Sequence, residues 1–108
     1  MTKNEITAII TSKAAEYGFE MEENSIGWNK KNNDQSYITI QIFQDHNIEK
    51  TDWENRKGHV DIVATASVSR MGGNQTPEGL LKIADEITRG ARFVEEIQSM
   101  NLSYIHEF

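Results

Sequence analysis

The stretch that decides the fold is HVDIVATASVSRMGGNQTPEGLL, residues 59–81. Its first half alternates apolar and polar side chains, which is typical of a strand with one buried face and one solvent-exposed face. Its second half carries an N-cap residue at Thr76, a proline at the first helical position at Pro77, and an acid in the first turn at Glu78. The stretch therefore predicts a strand, a joint and the start of a helix.

The joint contains Gly72 and Gly73, and phosphate-binding loops are also rich in glycine. A Walker loop needs a lysine and a hydroxyl after its last glycine, and a dinucleotide fingerprint needs three spaced glycines. The sequence has neither pattern, and Glu78 would repel an anion. We interpret the segment as a turn followed by a cap, and an anion bound at the amides of residues 73–75 is the alternative.

Residues 77–100 predict a long helix, because apolar residues repeat there in a seven-residue frame. The members of this frame are Leu80, Ile83, Ile87, Val94 and Ile97. Gly90 falls in the same frame, where a glycine costs roughly 1 kcal/mol of helix propensity. We expect Gly90 to allow close packing against Ala64 and Ala66, and a bend in the helix is the alternative. The apolar tail at 101–108 is expected to dock on the sheet or on a second subunit.

The N-terminal segment predicts a helix and then a hairpin. Thr2 and Glu5 form a capping box, after which apolar residues recur at helical spacing until Gly18, a residue type that commonly ends a helix. From Phe19 the apolar period changes to two, and a turn-prone pair follows at Asn24. This pattern predicts two short strands joined by a turn.

The next strand is SYITIQIF, residues 36–43, in which isoleucines alternate with polar or aromatic residues. A charged connecting segment at 44–58 separates it from the strand that begins at residue 59. Both helices and the sheet each have one apolar side, and the simplest burial places them against each other. We predict a single α+β domain over 1–108, with two layers. An antiparallel sheet of three or four strands carries the N-terminal helix and the long C-terminal helix on one face.

The composition narrows the classes of function. The chain has 108 residues, no cysteine and a formal net charge of −6. The absence of cysteine excludes thiolate chemistry. The negative charge disfavours sequence-independent binding to DNA or RNA, because that affinity comes from lysine and arginine. No apolar run approaches the roughly 20 residues of a membrane span, so we expect a cytoplasmic protein with no membrane partner. No motif implies a cofactor.

Two surfaces are candidates for partner binding. One is an acidic cluster at 16–24, whose plain interpretation is a solvated surface. The other is the sheet face that the helices leave open, together with Trp53, for which core packing is the alternative. The predicted partner-binding residues are Glu16, Glu20, Glu22, Glu23, Tyr37, Gln41, Phe43, Trp53, Asp61 and Thr65. Such a surface favours a protein partner with a basic surface.

Histidines and aspartates near the strand ends suggest an alternative chemistry. His59 and Asp61 share a strand face, while Asp45 and His46 lie near the end of the neighbouring strand. A metal-dependent or histidine-dependent enzyme would use these four. The ordinary interpretation is a set of polar residues at a strand edge. We predict neither a catalytic residue nor a metal ligand.

Two known families resemble this chain in element order. The order of helix, three strands and helix resembles the double-stranded RNA-binding domain, but TPEGLLKIADE, residues 76–86, replaces that family's basic cluster. The size, the acidity and the element order also resemble phage-encoded inhibitors, including anti-CRISPR proteins. That resemblance implies a non-enzymatic protein that occupies the nucleic-acid-binding groove of a nuclease. A structural homo-oligomer, including a homodimer, is the remaining alternative.

Overall fold

The computed structural model describes residues 1–69 and 74–108. The helices and strands are α1 (Lys3–Glu16), β1 (Met21–Glu23), β2 (Gly27–Lys30), β3 (Ile38–Asp52), β4 (Lys57–Val68), α2 (Pro77–Ser99) and β5 (Ser103–Glu107). The class is α+β, as the sequence predicts. Gly72 and Gly73 lie outside the described residues, so the anion alternative at residues 73–75 stays a prediction.

The predicted start of each helix and the predicted end of α1 are confirmed. The Thr2 hydroxyl accepts a hydrogen bond from the Glu5 amide at 3.1 Å, and the Thr76 hydroxyl accepts one from the Gly79 amide at 3.1 Å. Each satisfies a helix-terminal N–H that has no partner within the helix. Gly18 follows α1 with φ at +79°, in the left-handed region where glycine is favoured.

The sheet has five antiparallel strands in the order β1-β2-β3-β4-β5, so the predicted count of three or four is too low. The additional strand is the apolar tail, which pairs with the first part of β4 in the register Asp61 to Ser103 and Lys57 to Glu107. Of the two docking sites expected for the tail, the chain's own sheet is therefore the one it occupies.

The segment at 44–58 is not a connection, because β3 continues to Asp52 and β4 begins at Lys57. The pairing shifts register between Asn47 and Asp52, where the Thr51 hydroxyl donates to the Asn47 carbonyl at 2.7 Å. We call residues 44–60 the arm. The strand pattern was missed because most side chains of the arm are exposed or half-buried, which removes the alternation that marks a strand with one buried face.

Both helices contribute to one core against the same face of the sheet. Ile38, Ile40 and Ile42 of β3 are buried on that face beside Trp28 and Ala64. The helical residues buried in this core are Ile6, Ile10, Ala14, Phe93, Val94 and Ile97. The intervening residues of β3 therefore point to the opposite face, since side chains alternate along a strand.

The apolar frame of α2 is only partly buried. Val94 and Ile97 lie in the core, but Leu80 and Ile87 are half exposed. Gly90 is buried, and a Cβ on it would lie 2.2 Å from Ile38 Cδ1. The expectation of close packing at this glycine is right, but its partner is β3 rather than the two alanines of β4.

Candidate binding surface

The pairing of β3 with β4 assembles a patch on the sheet face opposite the helices. Gln41 stands opposite Thr65, Phe43 opposite Val63, and Asp45 opposite Asp61. We call these six residues the open face. Four of the predicted site residues are thereby brought together: Gln41, Phe43, Asp61 and Thr65. Phe43 and Val63 are half-buried at its centre, and Gln41, Thr65 and Asp45 are exposed around them.

Gly27 brings β2 close enough to β3 to fix the position of Phe43. The two residues are register partners, and a Cβ on Gly27 would lie 2.1 Å from the Ile42 carbonyl oxygen. A side chain at this position would clash with backbone, which cannot move away as a flexible side chain can. Glycine therefore allows β2 to support the side of the open face that carries Phe43.

Asp61 is held in its charged form by its neighbours. Its Oδ2 accepts a hydrogen bond from Asn47 Nδ2 at 3.0 Å, and its Oδ1 lies 2.8 Å from His59 Nε2. The hydrogen bond from Asn47, the largest effect, lowers the pKa of Asp61 below its ordinary value, and His59 adds to this lowering, while burial opposes it. Lys50 adds a weaker attraction from the arm. A fixed negative charge therefore lies at the edge of the open face.

Asp45 stands directly across from this fixed charge. Like charges directly opposite each other on neighbouring strands are unfavourable, and a cation between them relieves the repulsion. Arginine and lysine side chains carry such a cation, and the fork of an arginine matches a carboxylate best. The open face thus combines an apolar centre with a pair of carboxylates that favours a basic group.

Trp53 lies at the tip of the arm and is 61% exposed, so the core-packing interpretation is wrong. Its ring meets Phe108 edge to face at 5.7 Å between centroids, and the guanidinium carbon of Arg56 lies 6.0 Å from the Phe108 ring centre. The His106 ring stacks on Phe108, with 6.4 Å between the ring centroids. We call these four residues the aromatic tip. It is separate from the open face.

Tyr37 also lies apart from the open face. It lines a cleft of about 930 Å³ between α2 and the loop before β3, and its backbone amide donates to Glu86 Oε2 at 2.9 Å. Lys30 reaches the same carboxylate inside this cleft. The sequence did not single out Lys30 or Glu86, because a lysine in a short strand and a glutamate on a helix are usually exposed.

The predicted acidic cluster is spread over the end of α1 and the edge strand β1. Glu16 pairs with Lys13 at 3.1 Å, Glu20 with Lys31 at 3.0 Å, and Glu23 with Lys3 at 3.7 Å. Exposed pairs of this kind contribute little to stability, but they offset part of the negative charge. Glu22 alone shares the side of the open face, through the register Glu22 to Asn29 to Gln41.

The four residues of the alternative enzyme do not converge. His59 and Asp61 are bonded, and Asp45 is the register partner of Asp61. His46 is instead paired with Val60, a core-side position of β4, and its ring lies 6.4 Å from His106. Among residues 1–69 and 74–108, no three histidine, aspartate or glutamate side chains are placed to hold a metal ion.

No protein-family model, curated protein or solved structure matches this chain. Neither helix in the described ranges is both long enough and apolar enough to cross a membrane. The function is therefore inferred from the residues of the chain itself.

Proposed function

We propose that the protein is a small non-enzymatic binding protein whose open face receives the basic surface of a protein partner. The supporting observation is the register of Asp45 with Asp61 beside Phe43 and Val63. An aromatic residue at the centre of a patch gives contact area, and the two carboxylates select for arginine or lysine.

A nucleic-acid-handling protein is the partner that this chemistry fits best. The grooves of such proteins carry clustered lysine and arginine, because they neutralise phosphates. An acidic protein with a net charge of −6 is attracted to such a groove and competes there with nucleic acid. The same charge disfavours direct binding of nucleic acid. We therefore infer an inhibitor, of the kind that phages and mobile elements encode.

The test uses a panel of purified nucleases and other basic nucleic-acid-binding proteins, with binding measured by biolayer interferometry and inhibition by cleavage assays. We expect at least one member to bind, with an affinity that falls as salt rises. Asp45→Lys and Thr65→Lys place a cation on the open face at exposed positions, and each should weaken that binding at least about tenfold.

Glu78→Lys is the matched control, because it makes the same charge change as Asp45→Lys at an exposed position in the first turn of α2. It should bind as the wild type does. A panel without a binder, or a bound member that responds equally to Glu78→Lys and Asp45→Lys, would rule out this use of the open face.

A second candidate function is hydrolysis with His59 as general base. It is favoured by the 2.8 Å contact between His59 and Asp61, and by a cleft of about 470 Å³ that Ser103 also lines. A carboxylate that orients a histidine is the usual arrangement of a general base. On this hypothesis, His59→Ala abolishes turnover of an ester and phosphoester panel, whereas Thr65→Lys, which tests partner binding, leaves that turnover intact. Turnover that persists in His59→Ala, or that is absent from the wild type, excludes it.

A further inference from the structure

The outer edge of β4 is paired along only half of its length. β5 pairs with residues 57–61, and the Ile62 amide then donates to the Leu102 carbonyl at 3.0 Å. Backbone groups alternate in direction along a strand, so Ala64, Ala66 and Val68 point the same way as Ile62. Gln98 Nε2 donates to the Ala64 carbonyl at 3.0 Å, and no other residue in the described ranges pairs with this part of the edge.

This half-edge lacks the features that protect strands from pairing with other chains. Residues 62–69 contain no charged residue and no proline. At the other side of the sheet, β1 is only three residues long and carries Glu22 and Glu23, which are typical protective features. The cleft of about 470 Å³ lies beside the half-edge, lined by residues 62–64 of β4 and by Gln98.

The helical layer above this half-edge ends in a surface of uncharged residues, with the charged Glu95 at its margin, three positions before Gln98. The reach of Gln98 to Ala64 shows which side of α2 faces the edge. Residues seven, eleven, fourteen and eighteen positions before Gln98 share its side of the helix. They are Ala91, Ile87, Ala84 and Leu80. All four uncharged residues are exposed, and the exposed fraction is 55% for Leu80 and 37% for Ile87.

We infer that this two-layer surface binds a second copy of the chain. A two-fold axis at Ala66 pairs the two β4 edges in antiparallel orientation, with Ala64 opposite Val68 and Thr65 opposite Ser67. These side chains are small and uncharged. A chain with a net charge of −6 repels its copy, so a surface without charges is where two copies approach at the least electrostatic cost.

A second copy covers the β4 half-edge and the exposed side of α2 at the same time. The same two-fold axis sets the two α2 helices antiparallel near Ala91, whereas a single extended peptide would cover only the strand edge. The resulting sheet is continuous through both copies, and both open faces lie on the same side of it. The dimer is therefore bivalent toward a partner with repeated basic sites.

Hydrogen exchange measured over a range of protein concentrations tests the pairing residue by residue. The Ala66 and Val68 amides point to the half-edge, so their exchange should slow as concentration rises. The Thr65 and Ser67 amides point toward β3 and serve as internal controls, whose exchange should not depend on concentration. Analytical ultracentrifugation of the same samples should give a monomer–dimer equilibrium.

Two variants locate the interface. Ala66→Lys adds a charge at the two-fold axis, and Ala91→Glu adds one on the helical side. Each should raise the dimer dissociation constant at least about tenfold, because like charges then meet. Ala8→Glu is the matched control, because Ala8 is an exposed alanine on α1, away from the half-edge. If Ala66→Lys does not fold, Ala91→Glu alone decides the test.

Two results would overturn the inference: a monomer at every concentration with constant exchange at Ala66, or a dimer that Ala91→Glu leaves intact. Neither result bears on the proposed function, because Asp45→Lys tests that function at a position of β3 that takes no part in the pairing of the two β4 edges. A partner that binds equally well to wild type and Ala91→Glu would show that binding does not need the dimer.

Discussion

Lys30 and Glu86 form an ion pair in the interior, with 3.3 Å between Nζ and Oε1 and with side chains that are 5% and 12% exposed. The same ammonium donates to Asn32 Oδ1 at 2.7 Å and to the Ile38 carbonyl at 3.4 Å. The other carboxylate oxygen accepts from the Tyr37 amide at 2.9 Å. The pair thereby joins β2, the start of β3 and α2, the elements that meet at the larger cleft.

We expect Glu86→Ala to lower the free energy of unfolding by about 3 kcal/mol, because it leaves a buried ammonium without its carboxylate. The double variant Lys30→Met with Glu86→Leu should be less destabilised than Glu86→Ala, since no charge then remains buried. Urea unfolding measures both. The exposed pair of Glu78 and Lys82 is the comparison, and Glu78→Ala should change stability by less than about 1 kcal/mol.

Gly90→Ala should destabilise the protein by about 1 kcal/mol. The new Cβ collides with Ile38 Cδ1, and overpacking of this kind costs roughly 1–3 kcal/mol, while the gain in helix propensity offsets about 1 kcal/mol. Ile38→Val removes the colliding atom, so Gly90→Ala should become neutral or stabilising in that background. Thermal unfolding of the four proteins measures the coupling, and an equal cost in both backgrounds would exclude Ile38 as the cause.

The two tryptophans should give separable fluorescence signals. Trp28 is 1% exposed and Trp53 is 61% exposed, so iodide should quench only Trp53. Trp53→Phe should leave a blue-shifted spectrum that iodide does not quench. Trp53→Ala should lower the free energy of unfolding by about 1 kcal/mol, the typical contribution of an aromatic pair such as Trp53 with Phe108. A cost above about 3 kcal/mol would indicate a core role instead.

Stability should fall in acid partly through Asp61. Its pKa in the folded chain is lowered from 3.8, so its contribution is complete above 3.8 and is lost as pH falls through the folded value. Asp61→Asn should be less stable than wild type at neutral pH and should lose less stability in acid. Asn47→Ala should flatten the acid dependence in the same direction, because it removes the largest cause of the shift. Thermal melts from neutral to acidic pH would contradict this assignment if all three proteins lost stability in parallel.

The sequence predicts the parts of this fold that have one buried face. The alternating isoleucines of β3 and the caps at Thr2 and Thr76 each depend on local contacts, and local contacts follow directly from spacing. The arm was missed because its side chains are largely solvated on both faces. The tail was identified as docked, but a run of five residues without alternation does not reveal which strand it pairs with.

The candidate surface was predicted in part. The alternation in β3 and β4 already places Gln41, Phe43 and Thr65 on the same face of the sheet. The strand register adds only which residue of β3 stands beside which residue of β4. Tyr37 was misplaced because it lies before β3 begins, where the alternation no longer decides its direction. The separation of Trp53 from this face depends on the length of the arm, which the sequence did not predict.

Because α2 comes late in the chain, the apolar face of β3 is left partly uncovered while the protein is being synthesised. The core-facing isoleucines of β3 are synthesised well before Phe93 and Ile97, which cover them in the folded protein. At the stage when residues 1–69 have been made, α1 is the only helix that can shield that face. A truncated chain of residues 1–69 should therefore bind a hydrophobic dye and aggregate, and adding residues 77–108 as a separate peptide should suppress both.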